Sequence, residues 1–295
     1  MLSASVFWAG NGIGSKILFR PDGAHFDAVG LFTARAAWSL PIFLAMAWLA
    51  SPDAPIPRAD RWRLLAVGIA FGPGACGFLA LGAQFTSGAH IIMLMTLSPA
   101  LTAALGAVVL KERITPTQAA ALVLGLAGTA LLTLTHSSSG STLKGDLLEL
   151  VQVVSLSVMF VFTRALGTRY SPIFVSGAYC AIGMMLLLAV GVVLGRLGAV
   201  TQPLVRDWST IGWFFGEIVI GLSIYGQFAQ SAALRVLGAG TTSLLASYGT
   251  VAFGIAGSIW LLGETIAPTG YIAGVLLAVA LGLSLAPSRQ PVRTG

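Results

Sequence analysis

Apolar residues in this chain come in runs of about twenty, parted by short polar punctuation, and a helix of that length crosses the hydrocarbon layer of a bilayer. Ten runs can be marked, at roughly 2–19, 28–50, 62–84, 88–110, 116–135, 145–166, 172–195, 208–231, 239–262 and 267–286. The clearest connections are Ser51-Pro52-Asp53-Ala54-Pro55-Ile56-Pro57-Arg58 and Ser137-Ser138-Ser139-Gly140-Ser141, which carry residues that stop helices and start turns. The pattern predicts an all-α membrane protein with ten transmembrane helices.

A duplication lies within that pattern. Leu110-Lys111-Glu112-Arg113-Ile114-Thr115-Pro116-Thr117 recurs as Leu262-Gly263-Glu264-Thr265-Ile266-Ala267-Pro268-Thr269. Each copy closes one apolar run and opens the next. Five spans per copy is an odd number, so the second copy must sit upside down relative to the first. The expected organisation is a first five-helix repeat over about 1–136, a Ser/Gly-rich loop over about 137–143, an inverted second repeat over about 144–286 and a tail over about 287–295, with a central cavity between the repeats. Inverted repeats of this kind permit alternating access, because each half can adopt the other's conformation. The fifth helix of each copy carries small residues every fourth position (Thr117, Ala121, Gly125, Thr129; Gly270, Gly274, Ala278, Gly282), which suits close helix packing at the periphery.

Composition sharpens the class. The 295 residues include 16 Lys and Arg, 10 Asp and Glu, and 36 glycines, and the mean hydropathy is +0.90. A soluble fold of this length would need more charge to cover its surface. The net charge of +6 is scattered singly between spans and forms no nucleic-acid patch. With the N-terminus in the cytoplasm, that side collects Arg58, Arg61, Arg63, Lys111, Arg113, Arg164, Arg169, Arg235, Arg289 and Arg293. The other side collects Arg20, Lys144, Arg196 and Arg206. The bias puts both termini in the cytoplasm. The first copy of the duplicated motif then keeps Lys111 and Arg113 inside, and the second has Gly263 and Thr265 outside. Residues 1–10 lack a basic leader, so the first run is expected to stay as a span. Cys76 and Cys180 show no disulfide or metal spacing, and no cofactor or metal is expected. Oligomeric state is not written in the sequence, and a monomer would suffice.

Polar residues inside the runs mark the candidate path, because such groups cost free energy in hydrocarbon and normally face protein or water. The sixth run has a stripe of Asp146, Glu149, Gln152, Ser155 and Met159. The first run matches it with Ser5, Trp8, Asn11 and Ser15. Asp146 and Glu149 could equally cap the outer end of their helix. Gly72-Pro73-Gly74 interrupts the third run and Tyr225-Gly226-Gln227 the eighth, at matching places, and paired interruptions point to a binding site or to simple kinks. Met95, Ser98 and Pro99 in the fourth run correspond to Tyr248 and Gly249 in the ninth. Tyr179 in the seventh run joins the cavity candidates. Arg35, within the second run, could hold a substrate carboxylate, pair with Glu217, or lock two helices. Trp8 and Trp38 could wall a pocket or face lipid. Glu149 and Glu217 are the candidate proton carriers, and Gly72, Pro73, Gly74, Pro99, Gly226 and Gly249 the candidate hinges.

These positions resemble the drug/metabolite transporter superfamily, in its ten-helix EamA-type branch. The resemblance is carried by Phe7-Trp8-Ala9-Gly10-Asn11, Arg35, Ala80-Leu81, Ser98-Pro99, Glu112, Ala233-Leu234 and Gly263-Glu264. It implies a central cavity lined by helices one to four and six to nine, with helices five and ten outside. Within the branch the chain is similar to bacterial exporters of amino acids, the aromatic amino acid type among them. It departs from the family at Val251, where a second Ser-Pro would place its proline.

The function expected is a secondary transporter in the bacterial inner membrane, exporting small metabolites, foremost amino acids. Drugs or other metabolites on the same fold are the alternative. No G-x-x-x-x-G-K-[ST] loop is present to bind ATP. An intramembrane enzyme would need a nucleophile with a deep histidine or a pair of aspartates, and the spans offer neither. A channel would show a ring of charges.

Overall fold

The structure, a computed structural model, describes residues 3–9, 27–82, 85, 94–95, 97–134, 142–205, 208–262 and 268–285. Residues 3–9 form α1, and α2 is Ala28–Leu49. Helix α3 starts as Arg58–Ile69, widens into π turns at Ala70–Gly77 and ends as Phe78–Gly82. Next come α4 (Leu97–Val109), α5 (Pro116–Leu134), α6 (Leu143–Gly167) and α7 (Pro172–Val193). Two 3-10 turns, Leu197–Val200 and Gln202–Val205, lead to α8, which opens as Trp208–Ile211, widens over Gly212–Gly226 and closes as Gln227–Leu237. The last helices are α9 (Ala239–Leu262) and α10 (Pro268–Leu285).

The all-helical expectation is met among the described residues. Val29–Leu49, Leu143–Gly167 and Pro172–Val193 are long and apolar enough to cross a membrane, and shorter apolar stretches run over Leu97–Val109, Pro116–Gly128 and Gly274–Leu283. Helices α3 and α8 are divided into α and π pieces. Large apolar side chains stand on the surface, among them Val108, Val123, Trp48 and Trp208. Such an exterior suits hydrocarbon and its interface, not water.

Local chemistry explains where the helices start and stop. Asp27, Thr142 and Ser171 each turn a side-chain oxygen to an N–H of the following first turn (Gly30, Gly145 and Phe174), and Pro172 begins α7 where its missing N–H costs nothing. Gly238, at φ +86, makes the sharp break between α8 and α9, a conformation open to glycine.

Helix α7 is the hub. Its Gly177 lies against the Ala47 N and Met46 Cβ of α2, its Gly191 against Thr33, and its Gly183 against Gly68 and Gly72 of α3. Glycine at these crossings lets backbones touch, which is how helices associate where no hydrophobic force separates protein from lipid. Around the crossings, Phe43, Leu166, Tyr179, Met184 and Leu234 are fully buried.

The α6–α7 turn is tied to the start of α3 through Asp60, whose side chain is wholly buried. It accepts from Arg63 at 2.7 Å, Arg169 at 3.0 Å and the Tyr170 hydroxyl at 2.9 Å. Burial pushes the Asp60 carboxyl up, but the bonds from Tyr170, Arg169 and Arg63 outweigh it and hold the group below the usual aspartate range. The stability it contributes is therefore present above the ordinary aspartate pKa and is lost as pH falls through the lowered folded value. Asp60→Ala is expected to cost about 2 kcal/mol at neutral pH, the scale of hydrogen bonds to a charged group. In thermal unfolding scans the gap from wild type should narrow as pH falls below the ordinary aspartate range. A gap that stays constant would show that packing, and not the carboxylate, matters there.

Candidate functional site

Three other helices, α1, α2 and α7, contact α8 in or beside its wide turns. Arg35 of α2, only 4% exposed, donates from Nε to Ser223 Oγ at 2.7 Å. The Ser223 hydroxyl in turn donates to the Ile218 carbonyl, five residues back, at 2.7 Å. It thus satisfies a carbonyl of the widened helix while receiving the buried cation. Lower down, the Tyr179 hydroxyl of α7 donates to Gln227 Oε1 at 2.9 Å, and the Tyr179 ring stands edge-on to Phe71 of α3. Trp8 of α1 lies against Gly226, its Nε1 2.7 Å from where a Cβ would stand. So Arg35 bonds to Ser223, while Glu217 Oε1, on the same segment, is buried with no hydrogen-bond partner among the described residues. Of the roles open to Arg35, the contact observed is the one that locks two helices.

A second set of groups is defined by what it lacks. Ser98 Oγ and Thr102 Oγ1 of α4, Gln152 Oε1 and Thr163 Oγ1 of α6, both amide atoms of Gln230 and the Ser231 hydroxyl of α8, and the Thr242 and Ser243 hydroxyls of α9 are buried with no hydrogen-bond partner among the described residues. Helices α4, α6, α8 and α9 pack on one another into a four-helix cluster drawn from both halves of the chain, and these groups are spread over all four. Buried polar atoms in proteins are almost always paired, and one left alone costs about 1–3 kcal/mol. Water or a polar guest can satisfy such groups where the site has room. Beside Ser98, the Ser157 hydroxyl of α6 donates to the Ser98 carbonyl of α4, at 3.3 Å.

The other expected site residues fall in several places. Glu149 is wholly buried, both its carboxylate oxygens lack a hydrogen-bond partner among the described residues, and it is packed on Gly82 at the end of α3. The Ser155 hydroxyl donates to the Val151 carbonyl, and its side chain packs on Gly74. Met95 is half-buried one turn before Ser98, and Pro99 is buried beside it. Gly72 lies directly on the Gly183 backbone, so it serves helix contact, while Pro73 sits half-buried in the π turns. Asn11 lies outside the described residues.

Two placements depart from expectation. Tyr248 does not turn to the four-helix cluster. Its ring fills the space above Gly125 of α5, its hydroxyl donates to the Leu122 carbonyl at 3.3 Å, and it is buried with Ala121, Leu277 and Ala280. The missing side chain at Gly125 is what draws it outward, with buried Gly249 beside it. Trp38, half-buried, is held at the α7–α8 turn. Its indole N–H donates to the Val200 carbonyl at 2.9 Å, and its ring meets Phe215 edge-on.

Thr102, Gln230, Ser231, Thr242 and Ser243 escaped the sequence reading. Their signal was nevertheless there: Thr102 falls one turn after Ser98, and Gln230 and Ser231 fall one turn after Gln227.

Residues 1–134 match the EamA-like transporter family, a family of transporters and not of enzymes. No curated protein matches the chain. A solved crystal structure of a protein shares the fold, with a TM-score of 0.72 and 15% sequence identity, over 96% of this chain and 97% of that one. The family match and the apolar helices together support a multi-pass membrane protein.

Proposed function

We propose that this chain is a secondary transporter that exports small metabolites, foremost amino acids, across the bacterial inner membrane by alternating access between two inverted five-helix repeats. The observation that carries the reading is the set of partnerless buried hydroxyls and amides on α4, α6, α8 and α9. They are uncharged, they come from both halves, and they suit a zwitterion or another polar solute better than a multiply charged one. The inverted arrangement is supported by the widened turns of α3 and α8, which fall where the two sequence interruptions correspond. Gln227, Gln152, Ser98, Trp8 and Met95 are the proposed substrate neighbours, Pro73 and Gly226 the proposed hinge positions, and the bilayer and the solute the only partners required. Uptake of a panel of radiolabelled amino acids into liposomes holding the purified protein tests this. Saturable, mutually competed uptake is expected, and no uptake of any amino acid by folded protein would move the substrate to another metabolite class.

Glu149 and Glu217 are the proposed proton carriers. An ionised carboxylate enclosed without a partner is costly, and binding a proton removes that cost. Glu149→Gln is expected to abolish the response of flux to an imposed proton gradient while exchange without a gradient continues. A response that survives the change would take coupling away from Glu149.

A further inference from the structure

The first copy of the duplicated motif does more than end one helix and start another. Lys111 leaves α4 at φ +56, and the Glu112 N–H returns to the Gly106 carbonyl. Thr115 then accepts the Gln118 N–H as the cap of α5, with Pro116 at its first position. This turn aims the Glu112 carboxylate at the other half of the chain. Its Oε2 accepts the Ala239 N–H at 3.2 Å, on the first turn of α9, where a helix start favours an anion. Its Oε1 meets Arg164 Nε, at the end of α6, at 3.3 Å. Arg164 in turn donates to the Leu234 carbonyl at 2.6 Å, and also to the Arg235 carbonyl, at the end of α8. Gln118 adds a bond from α5 to Thr241 of α9 at 2.7 Å. One ion pair therefore ties α4, α6, α8 and α9 together at a common end, and these are the helices that hold the partnerless polar groups. Thr242 and Ser243 lie within one helical turn of the tie.

We propose that Arg164 and Glu112 form the cytoplasmic gate of the solute path, a latch that seals the polar cluster from the side where the positive-charge bias places these residues. The inference rests on the transport reading and deepens it. The latch suits a gate because its parts are half-exposed, with side-chain exposures of 22% for Arg164 and 24% for Glu112. Water can therefore replace each bond as the helix ends part, and the cost of opening stays small. The carbonyls of Leu234 and Arg235 are helix-end acceptors that lose their intrahelical partners in any case. Arginine fits the role because its planar fork reaches a carboxylate and two carbonyls at once, which a lysine ammonium on one stem does not.

The test places a reporter, Ser243→Cys, in a background carrying Cys76→Ala and Cys180→Ala, reconstituted in sealed vesicles. An impermeant maleimide is applied from the face that bears Arg164. Slow labelling is expected with the latch intact, and at least about tenfold faster labelling with Arg164→Ala, the factor that corresponds to about 1.4 kcal/mol of closing free energy. Glu112→Gln keeps an acceptor for Ala239 but loses the ion pair, so it should fall between the two, and it serves if Arg164→Ala does not fold. Fast labelling with the latch intact, or equal labelling in all folded variants, would overturn the gate. The labelling needs no substrate, so it stands or falls separately from the amino acid uptake panel.

Discussion

Gln230→Leu is expected to cut flux at least about tenfold while leaving the protein as stable as before, or more so. The reasoning starts from the empty state. Both amide atoms of Gln230 are buried without a partner among the described residues, and each such atom costs about 1–3 kcal/mol when nothing satisfies it. Leucine has nearly the same volume and no polar atom, so the unloaded cluster loses a cost. A solute in transit loses a donor and an acceptor, and a tenfold fall corresponds to about 1.4 kcal/mol. Stability and activity should thus move in opposite directions, as expected where a site is kept polar for its guest. Flux measured beside a thermal unfolding midpoint checks both. A variant that transports normally would remove Gln230 from the path.

Gly72→Val is expected to prevent folding or to cost at least about 3 kcal/mol, the upper range of overpacking. A Cβ at Gly72 would meet the Gly183 carbonyl oxygen, with the Gly183 Cα at 2.6 Å and carbonyl carbon at 2.7 Å. These are backbone atoms at the crossing of α3 and α7, and no side-chain rotation relieves them. Gly212 and Gly216 provide the contrast, since a Cβ there meets nothing within 4 Å among the described residues. Gly212→Ala and Gly216→Ala should leave yield and melting unchanged. Monodisperse yield from detergent extracts separates the two cases, and a normally folded Gly72→Val would show that α3 and α7 can part.

The helical class and the position of the breaks were legible because both are local. Apolar runs announce helices, and Gly72-Pro73-Gly74 announces a disturbed one. The motif glutamate was legible as a repeated letter but not as a clasp, because its partners Arg164 and Ala239 lie on other helices. Tyr248 went astray for the same kind of reason. Its depth was readable from neighbouring residues, but its direction is decided by the hole at Gly125, more than a hundred positions away. Trp38 is fixed by a carbonyl in the α7–α8 turn that no periodicity reveals. The partnerless cluster was half-seen, since Ser98 and Gln152 stood out singly. Thr102, Gln230, Thr242 and Ser243 gain meaning only when four helices are set side by side.

The central claim is that the uncharged polar cluster shared by α4, α6, α8 and α9 carries the solute. Counterflow in liposomes preloaded with an unlabelled amino acid, comparing wild type with the double variant Gln152→Leu and Gln230→Leu, tests it most directly. The account predicts a transient accumulation of label in wild type and its loss in the double variant, with both proteins folded and inserted alike. Equal counterflow in the two would contradict it.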